Sequence, residues 1–142
     1  MLRKKIYTPI LKWKKGEKNA LKFLTAIQKR KILPFIEIVD EISPSEFLED
    51  LMDCYNDLVY IDTSYVDEGE RGYIKNLLKK DKGNFLIPVL YYSDFPDLAD
   101  EIINISNKII IRIPVPEDIE GDDYPTIFGE LNKWCTDKDT KI

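Results

Sequence analysis

Five short apolar runs recur along the chain at nearly even intervals, and this spacing constrains the fold more than any other feature. The runs begin at positions 6, 32, 58, 85 and 109, so successive starts are 24 to 27 residues apart. Each run is rich in β-branched or aromatic residues and is continuous rather than alternating with polar residues. Continuous apolar strands are typical of a parallel sheet that is covered on both faces. The spacing therefore predicts five parallel β-strands.

The segments between these runs carry apolar residues at helical spacing. The first helical stripe consists of Ala20, Leu21, Leu24 and Ile27. After the second run, Ser43 and Glu46 form a capping box with Pro44 at the first helical position. Alternating strands and helices predict an α/β fold of five βα units. Two architectures fit this pattern: an open doubly wound sheet, or a partial TIM-barrel-like sheet.

The composition narrows the class of protein. The 142 residues are 44% hydrophobic and 33% charged, which predicts a single βα-repeat domain spanning residues 1–142. No apolar run reaches the roughly 20 residues that a membrane-spanning helix needs, and the N-terminus does not have the pattern of a signal peptide. Two cysteines do not make a disulfide framework. We therefore expect a cytoplasmic protein with no membrane partner.

The charges are divided into blocks. Residues 1–31 carry eleven Lys or Arg and the single acid Glu17, whereas residues 37–70 carry twelve Asp or Glu and no base. One interpretation is a nucleic-acid-binding arm followed by an acidic docking face. The other is that the two blocks attract each other across neighbouring elements. A nucleic-acid groove needs exposed aromatic residues among its bases, and only Trp13 offers one there. Nucleic-acid binding thus has no support beyond charge.

Charged residues stand at the carboxyl ends of four predicted strands. They are Lys12, Glu37, Asp62 and Arg112. Ligands bind parallel sheets at this edge, and charges on buried strands are unfavourable without a partner or a ligand. One interpretation is a salt-bridge network that pairs Lys12 with Glu37 and Asp62 with Arg112. The other is that these four residues form a ligand-binding site.

A ligand site at these positions allows more than one chemistry. Glu37 and Asp62 suit Mg²⁺, although we predict no resident metal or other cofactor. Lys12 and Arg112 suit a phosphate or a carboxylate. The chain has no histidine, which removes imidazole bases, Ser-His and Cys-His nucleophile pairs and nearly all zinc sites. No catalytic residue can be assigned, and the question of enzymatic activity is left open.

The loop before the first helix is a second candidate site. It contains Lys14, Lys15 and Gly16. A helix N-terminus attracts anions, so these residues form a candidate anion site. The alternative is a simple turn in which Glu17 interacts favourably with the positive end of the helix.

Three segments of the chain resemble the phage-type beta protein family. They are YTPILK at 7–12 with Gly16-Glu17 and Ala20-Leu21 after it, LPFIEI at 33–38, and IDTSY at 61–65. The resemblance is strongest over residues 6–65 and continues as a general pattern beyond them. It implies a TIM-barrel-like fold, occurrence in phages and in bacterial mobile or defence loci, and no settled biochemical activity. It also implies that this chain corresponds to the N-terminal part of longer relatives.

Two functions follow from the residues and the resemblance. The first is a defence or anti-defence protein that binds a protein partner or forms a homo-oligomer, through an exposed sheet edge or the acidic face of residues 37–70. The second is a small-ligand or Mg²⁺-dependent enzyme module that acts on a phosphorylated or carboxylated compound at the strand ends. An acidic mimic of nucleic acid is a third option, which requires the carboxylates of residues 37–70 on one exposed surface.

Overall fold

A computed structural model of the protein describes residues 5–66, 72–82, 85–106, 108–113 and 124–138. Five β-strands alternate with helices along these residues, as the apolar runs predict. The strands are β1 (Ile10–Lys12), β2 (Phe35–Glu37), β3 (Val59–Asp62), β4 (Leu86–Tyr91) and β5 (Ile110–Arg112). Every neighbouring pair runs parallel. The predicted α/β fold with a parallel sheet is confirmed.

The order of the strands distinguishes the two predicted architectures. The strands lie in the order β1-β2-β3-β4-β5, and the sheet is open rather than closed. A doubly wound sheet reverses its strand order at one point, whereas this sheet has no reversal. A sequential order with a helix after each strand is the order of a barrel. The described strands therefore form an open sheet with the strand order of a barrel.

Helices follow each strand. They are α1 (Lys15–Phe23), α2 (Ala26–Lys31), α3 (Pro44–Cys54), α4 (Gly72–Asp81), α5 (Asp97–Ile102) and α6 (Tyr124–Lys138), and a short 3₁₀ turn (Tyr92–Asp94) follows β4. The predicted capping box begins α3: the Ser43 hydroxyl accepts a hydrogen bond from the Glu46 backbone N–H at 3.2 Å. The Glu46 carboxylate accepts one from the Ser43 backbone N–H at 3.3 Å. This local signal is confirmed.

The first helical stripe is broken into two helices, which corrects the prediction of one continuous face. The chain becomes extended at Leu24, and Thr25 then starts α2 with a capping box of its own. The Thr25 hydroxyl accepts a hydrogen bond from the Gln28 backbone N–H, and a threonine placed in this way favours a new helix start over continuation. As a result Ile27, expected on the buried stripe, is 61% exposed.

The core lies on one face of the sheet. Ile36 and Ile61 have no exposed surface, and they belong to one cluster with apolar side chains of α1, α3, α4 and α5. Successive side chains along a strand point to opposite faces. We call the second face the open face; its apolar surface consists of Ile10, Phe35, Tyr60, Ile87, Val89 and Ile110, which precede the polar strand ends on the same face. Ile10 is 62% exposed, whereas Ile87 and Val89 are buried but do not belong to the core cluster.

The two charge blocks meet where α1 packs on α3. Lys18 Nζ lies 2.7 Å from the Asp50 carboxylate, and Lys22 Nζ lies 2.8 Å from the Asp53 carboxylate. The interpretation that the blocks attract each other is confirmed by these pairs. In the part of the chain that the structure describes, no helix is long and apolar enough to cross a membrane.

Candidate functional site

The carboxyl ends of the strands bring three of the four predicted residues together. Glu37 ends β2, Asp62 ends β3 and Arg112 ends β5. The parallel register places Glu37 beside Asp62 and Tyr91 beside Arg112, so their side chains share the open face. We call Glu37, Asp62 and Arg112 the rim triad.

A single nitrogen of Arg112 joins the two carboxylates. Arg112 Nη1 donates hydrogen bonds to Glu37 Oε2 and to Asp62 Oδ2, each at 2.9 Å. Because Arg112 lies on β5, its side chain has to lean across β4 to reach both acceptors. Asp62 is fully buried, Glu37 is 6% exposed, and Asp62 Oδ1 accepts the Ser64 backbone N–H at 2.9 Å. With both carboxylates ionised, the triad is negatively charged.

Two aromatic rings flank the guanidinium. Arg112 Cζ lies 5.3 Å from the centre of the Phe35 ring and 5.5 Å from the centre of the Tyr91 ring. Burial by itself lowers the pKa of Arg112, but hydrogen bonds to Glu37 and Asp62 outweigh this effect, so the net pKa is raised and Arg112 stays charged. Burial, followed by the charge of Asp62, raises the pKa of Tyr91 and keeps its phenol neutral. The rim is therefore an ordered arrangement of one cation, two anions and two rings.

Lys12 stands apart from this network. Its Cα is paired with that of Glu37 in the register of β1 and β2, yet its side chain is exposed. Within the described residues Lys12 makes no ion pair, and Arg112 takes both carboxylates. The expected pairing of Lys12 with Glu37 is corrected. The physical reason is that the ammonium of Lys12 is compact and strongly hydrated and stays in water, whereas the guanidinium of Arg112 is more weakly hydrated and offers several fixed donors to two acceptors.

Glu37 and Asp62 are the residues predicted to suit Mg²⁺. Both accept hydrogen bonds from Arg112, whose charge repels a cation at the same oxygens. Among the residues that the structure describes, no group of three or more Asp, Glu or Cys side chains has the arrangement of a metal site. Mg²⁺ binding at the rim stays a prediction, and it requires Arg112 to move.

A second candidate site lies at the start of α1. A pocket of about 620 Å³ opens there, lined by Trp13, Lys14, Lys15, Lys18, Asp40, Glu41, Ile42, Glu46 and Asp50. We call it the Trp13 pocket. It includes Lys14 and Lys15, and the third predicted anion-site residue, Gly16, follows them in the first turn of α1.

The charges of the Trp13 pocket come from two segments of the chain. Lys18 is paired with Asp50, and Glu46 is held in the capping box of α3. The other charged lining residues are exposed: two bases at the start of α1 and two acids in the loop before α3, namely Lys14, Lys15, Asp40 and Glu41. One segment thus contributes positive charge to the pocket and the other contributes negative charge.

Two kinds of hydrogen-bond donor near this pocket have no acceptor among the described residues. The N-cap residue of α1, Lys14, provides no side-chain cap for the N–H groups of the first turn. The indole Nε1–H of Trp13 is buried without a partner in the described residues. Trp13 is 4% exposed, and its ring packs edge-to-face on Phe47 with the centroids 5.1 Å apart. The first turn of α1 is therefore uncapped beside the pocket, whereas the indole N–H of Trp13 is enclosed by the protein.

Phe35 and the acids of the Trp13 pocket are functional candidates that the sequence reasoning missed. From the sequence Phe35 is a core residue, although it stands two positions before Glu37 and so shares its face. That alternation is the signal that identifies it. No sequence signal places Asp40 and Glu41 at the same pocket as Lys14, since that placement depends on the pairing of β1 with β2.

One family model matches the chain. It is described as Beta protein and matches residues 7–122, a span that includes the rim triad, Lys12 and the start of α1. No curated protein and no solved structure matches the chain. The matched span is well over half of the chain and agrees with the resemblance seen over residues 6–65. The chain therefore belongs to the Beta protein family.

Proposed function

We propose that this chain is a binding protein that associates through the open face of its sheet, with a second copy of itself first and with another protein as the alternative partner. The supporting observation is the unequal cover of the two faces. Ile36 and Ile61 are completely buried, whereas on the open face Ile10 is 62% exposed and Phe35 and Tyr60 are half-buried. Only the β4 residues of that face, Ile87 and Val89, are buried among the apolar residues named for it. Parallel sheets occur almost only with both faces covered. A partner on the open face supplies the cover that the described helices supply on the other face.

The side chains of the open face suit a protein partner. Phe35 and Tyr60 are neighbours on β2 and β3, and their rings pack edge-to-face with centroids 6.3 Å apart. Aromatic residues and arginine are enriched at the centre of protein interfaces. Arg112 lies beside Phe35, at the carboxyl end of this apolar surface. A partner that covers the face removes the apolar side chains from water and strengthens the electrostatic interactions of the rim triad.

The symmetry of self-association favours a second copy as the partner. Two copies related by a twofold axis present the same surface to each other, so face-to-face contact buries the open face of both copies at once. Among the described strands β1 and β5 each have one neighbour, and pairing at such an edge would extend the sheet and leave its open face uncovered.

The proposed setting is the cytoplasm during phage–host conflict, with a defence or anti-defence role. This setting is supported by membership of the Beta protein family and by what the family resemblance implies about phages and defence loci.

Size-exclusion chromatography with light scattering tests self-association. We expect the wild type to form an oligomer whose fraction rises with concentration and Ile10→Lys to be monomeric, because the new charge lies on the open face. Phe23→Lys is the matched control, since Phe23 is 84% exposed on α1, and it should behave as the wild type. For a different partner, co-purification from the native host should lose the same protein with Ile10→Lys and keep it with Phe23→Lys. A wild type that is monomeric throughout and retains no Ile10-dependent partner contradicts the proposal.

A second candidate function is a small-ligand or Mg²⁺-dependent enzyme module at the rim, acting on a phosphorylated or carboxylated compound. One observation favours it: the Arg112 side chain is 32% exposed and binds its carboxylates through Nη1 alone, which leaves further N–H donors of the guanidinium for an anion. Inorganic phosphate with MgCl₂ should then raise the Tm of the wild type, because a ligand that binds the native state stabilises it. An unchanged Tm contradicts this function.

A further inference from the structure

The open face consists of rows of residues that differ in polarity. One row across β1 to β4 is apolar and is formed by Ile10, Phe35, Tyr60 and Ile87. Two positions further along each strand, the next row is charged on its first three strands and begins with Lys12, Glu37 and Asp62. Residues two positions apart in a strand are separated by about 7 Å. The apolar row and the charged row are therefore neighbours on the same face.

The exposure of the apolar surface decreases from β1 towards β4. Ile10 on β1 is 62% exposed, and Leu58, two positions before Tyr60 of β3, is 39% exposed. On β4, by contrast, Ile87 and Val89 are buried. A second copy therefore removes most apolar surface from water when it packs on β1, β2 and β3.

The charge of the charged row is divided between its two ends. In the rim triad, Arg112 sets one positive charge against the carboxylates of Glu37 and Asp62, so the triad is net negative. Lys12 on β1 is exposed and makes no ion pair within the described residues. The row is thus positive at β1 and negative from β2 onwards.

Two face-to-face orientations are compatible with a twofold axis. If the axis is perpendicular to the strands, the strands of the two copies run in opposite directions, and charged residues of each copy lie against apolar residues of the other. If the axis runs along the strands near β2, each row meets the same row, and β1 of each copy lies over β3 of the other. The second orientation is favoured, because covering a charge with apolar surface is costly.

We propose that two copies associate with their strands running in the same direction, and that Lys12 of each copy faces the rim triad of the other. This inference rests on the association through the open face that is proposed above. Packed sheets lie about 10 Å apart, a distance that long side chains from both sheets span together. Lys12 needs no contact with the buried Asp62, because charges attract over several ångströms once water is excluded between them. Complementary charges of this kind fix the orientation of partners.

The effect of Lys12→Met on the dimer distinguishes the two orientations by its sign. Methionine keeps an unbranched side chain and removes the charge, and sedimentation equilibrium measures the dimer Kd. We expect the Kd to rise about tenfold, because the attraction to the triad is lost. With the strands in opposite directions, the same substitution removes a charge from an apolar surface, and the Kd should fall.

Two further measurements test the electrostatic origin of this effect. Lys12→Glu places like charges together and should raise the Kd by about a hundredfold. Raising NaCl from about 0.05 M to about 0.5 M should weaken the wild-type dimer and have a smaller effect on Lys12→Met, because salt screens the attraction. The matched control is Lys31→Met, an exposed lysine at the end of α2, which should leave the Kd unchanged. Circular dichroism checks that each variant is folded.

The outcomes separate this inference from the proposed function. An unchanged or lower Kd in Lys12→Met overturns the inference, and association through the open face still stands if Ile10→Lys abolishes it. A rise of the Kd in Lys31→Met as large as that in Lys12→Met also overturns the inference, because the effect then has no connection with the rim triad. A wild type that is monomeric at all concentrations overturns it as well, even where another protein is found to bind the open face.

Discussion

Replacement of Arg112 with methionine is the sharpest test of how the rim is held together. Methionine keeps an unbranched apolar side chain and removes the charge and all the donors. The substitution leaves Asp62, which is fully buried, and Glu37, which is 6% exposed, as two adjacent carboxylates without a counter-charge. We expect a large loss of stability because an uncompensated buried charge is among the most unfavourable groups in a folded protein.

The magnitude follows from the burial of the partners. Removing one member of a buried ion pair costs about 3–5 kcal/mol. The Arg112 side chain is 32% exposed, so solvent screens part of the interaction and the lower end of that range, about 3 kcal/mol, applies. For a chain of this length such a loss corresponds to a fall in Tm of about 9 °C.

Urea unfolding followed by circular dichroism measures this loss. Arg30→Met is the matched control, because Arg30 is exposed and its Nε donates only to a backbone carbonyl at 3.1 Å; its effect should stay within about 0.5 kcal/mol. Adding Asp62→Asn to Arg112→Met removes the buried charge and should recover about 1 kcal/mol or more. A loss below about 1 kcal/mol in Arg112→Met, or no recovery in the double variant, refutes the account of the rim as a charge-compensated cluster.

Three further predictions concern single groups. Burial, reinforced by nearby carboxylates, raises the pKa of Cys54, so iodoacetamide at mildly alkaline pH should label Cys135 first, and faster labelling of Cys54 would contradict this. Tyr55→Phe removes a hydroxyl whose single O–H is shared between two backbone carbonyls at 3.0 and 2.9 Å, and it should cost about 1–2 kcal/mol in urea unfolding at neutral pH. Burial raises the pKa of Tyr55 above its ordinary value of 10.0. The stability that its neutral hydroxyl contributes is therefore complete below pH 10.0 and is lost as the pH rises above it, so the difference in free energy of unfolding between the wild type and Tyr55→Phe should narrow at alkaline pH. Ser43→Ala should cost about 1 kcal/mol by removing the cap of α3, whereas Ser45→Ala should be neutral.

Local patterns predicted the elements of this fold well. The apolar runs located all five strands, although the first run begins at position 6 and β1 begins at Ile10, because Tyr7 forms only an isolated bridge with Ile32. The capping box at Ser43 located the start of α3, since a cap acts through residues three positions apart. The same locality explains the error at Thr25. Its capping box with Gln28 indicates a new helix start, but the apolar stripe has the same helical spacing on both sides of Thr25 and so predicted one continuous helix.

The candidate site was predicted in part. Because parallel strands end at a common edge, the residue that follows or ends each apolar run can be assigned to that edge from its position in the sequence, and this placed Glu37, Asp62 and Arg112 together. The partner of each charge was not predictable in the same way. Lys12 and Arg112 differ in hydration and in the number of fixed donors, which favours the guanidinium as the partner of two carboxylates. Whether the Arg112 side chain can reach them depends on the positions of the strands in the sheet.

The sequence by itself determined that the strands are parallel, that they are five in number over the described residues, and that their polar ends share one edge. These properties depend on short-range patterns: continuous apolar runs, the intervals between them and the helical segments that fill the intervals. The tertiary structure alone decided the sequential strand order, the open face, the double contact of Arg112 and the meeting of residues 13–18 with residues 40–50. Each of these depends on which strands become neighbours. The free energy that favours one strand order over another comes from burial summed over the whole sheet rather than from any local segment.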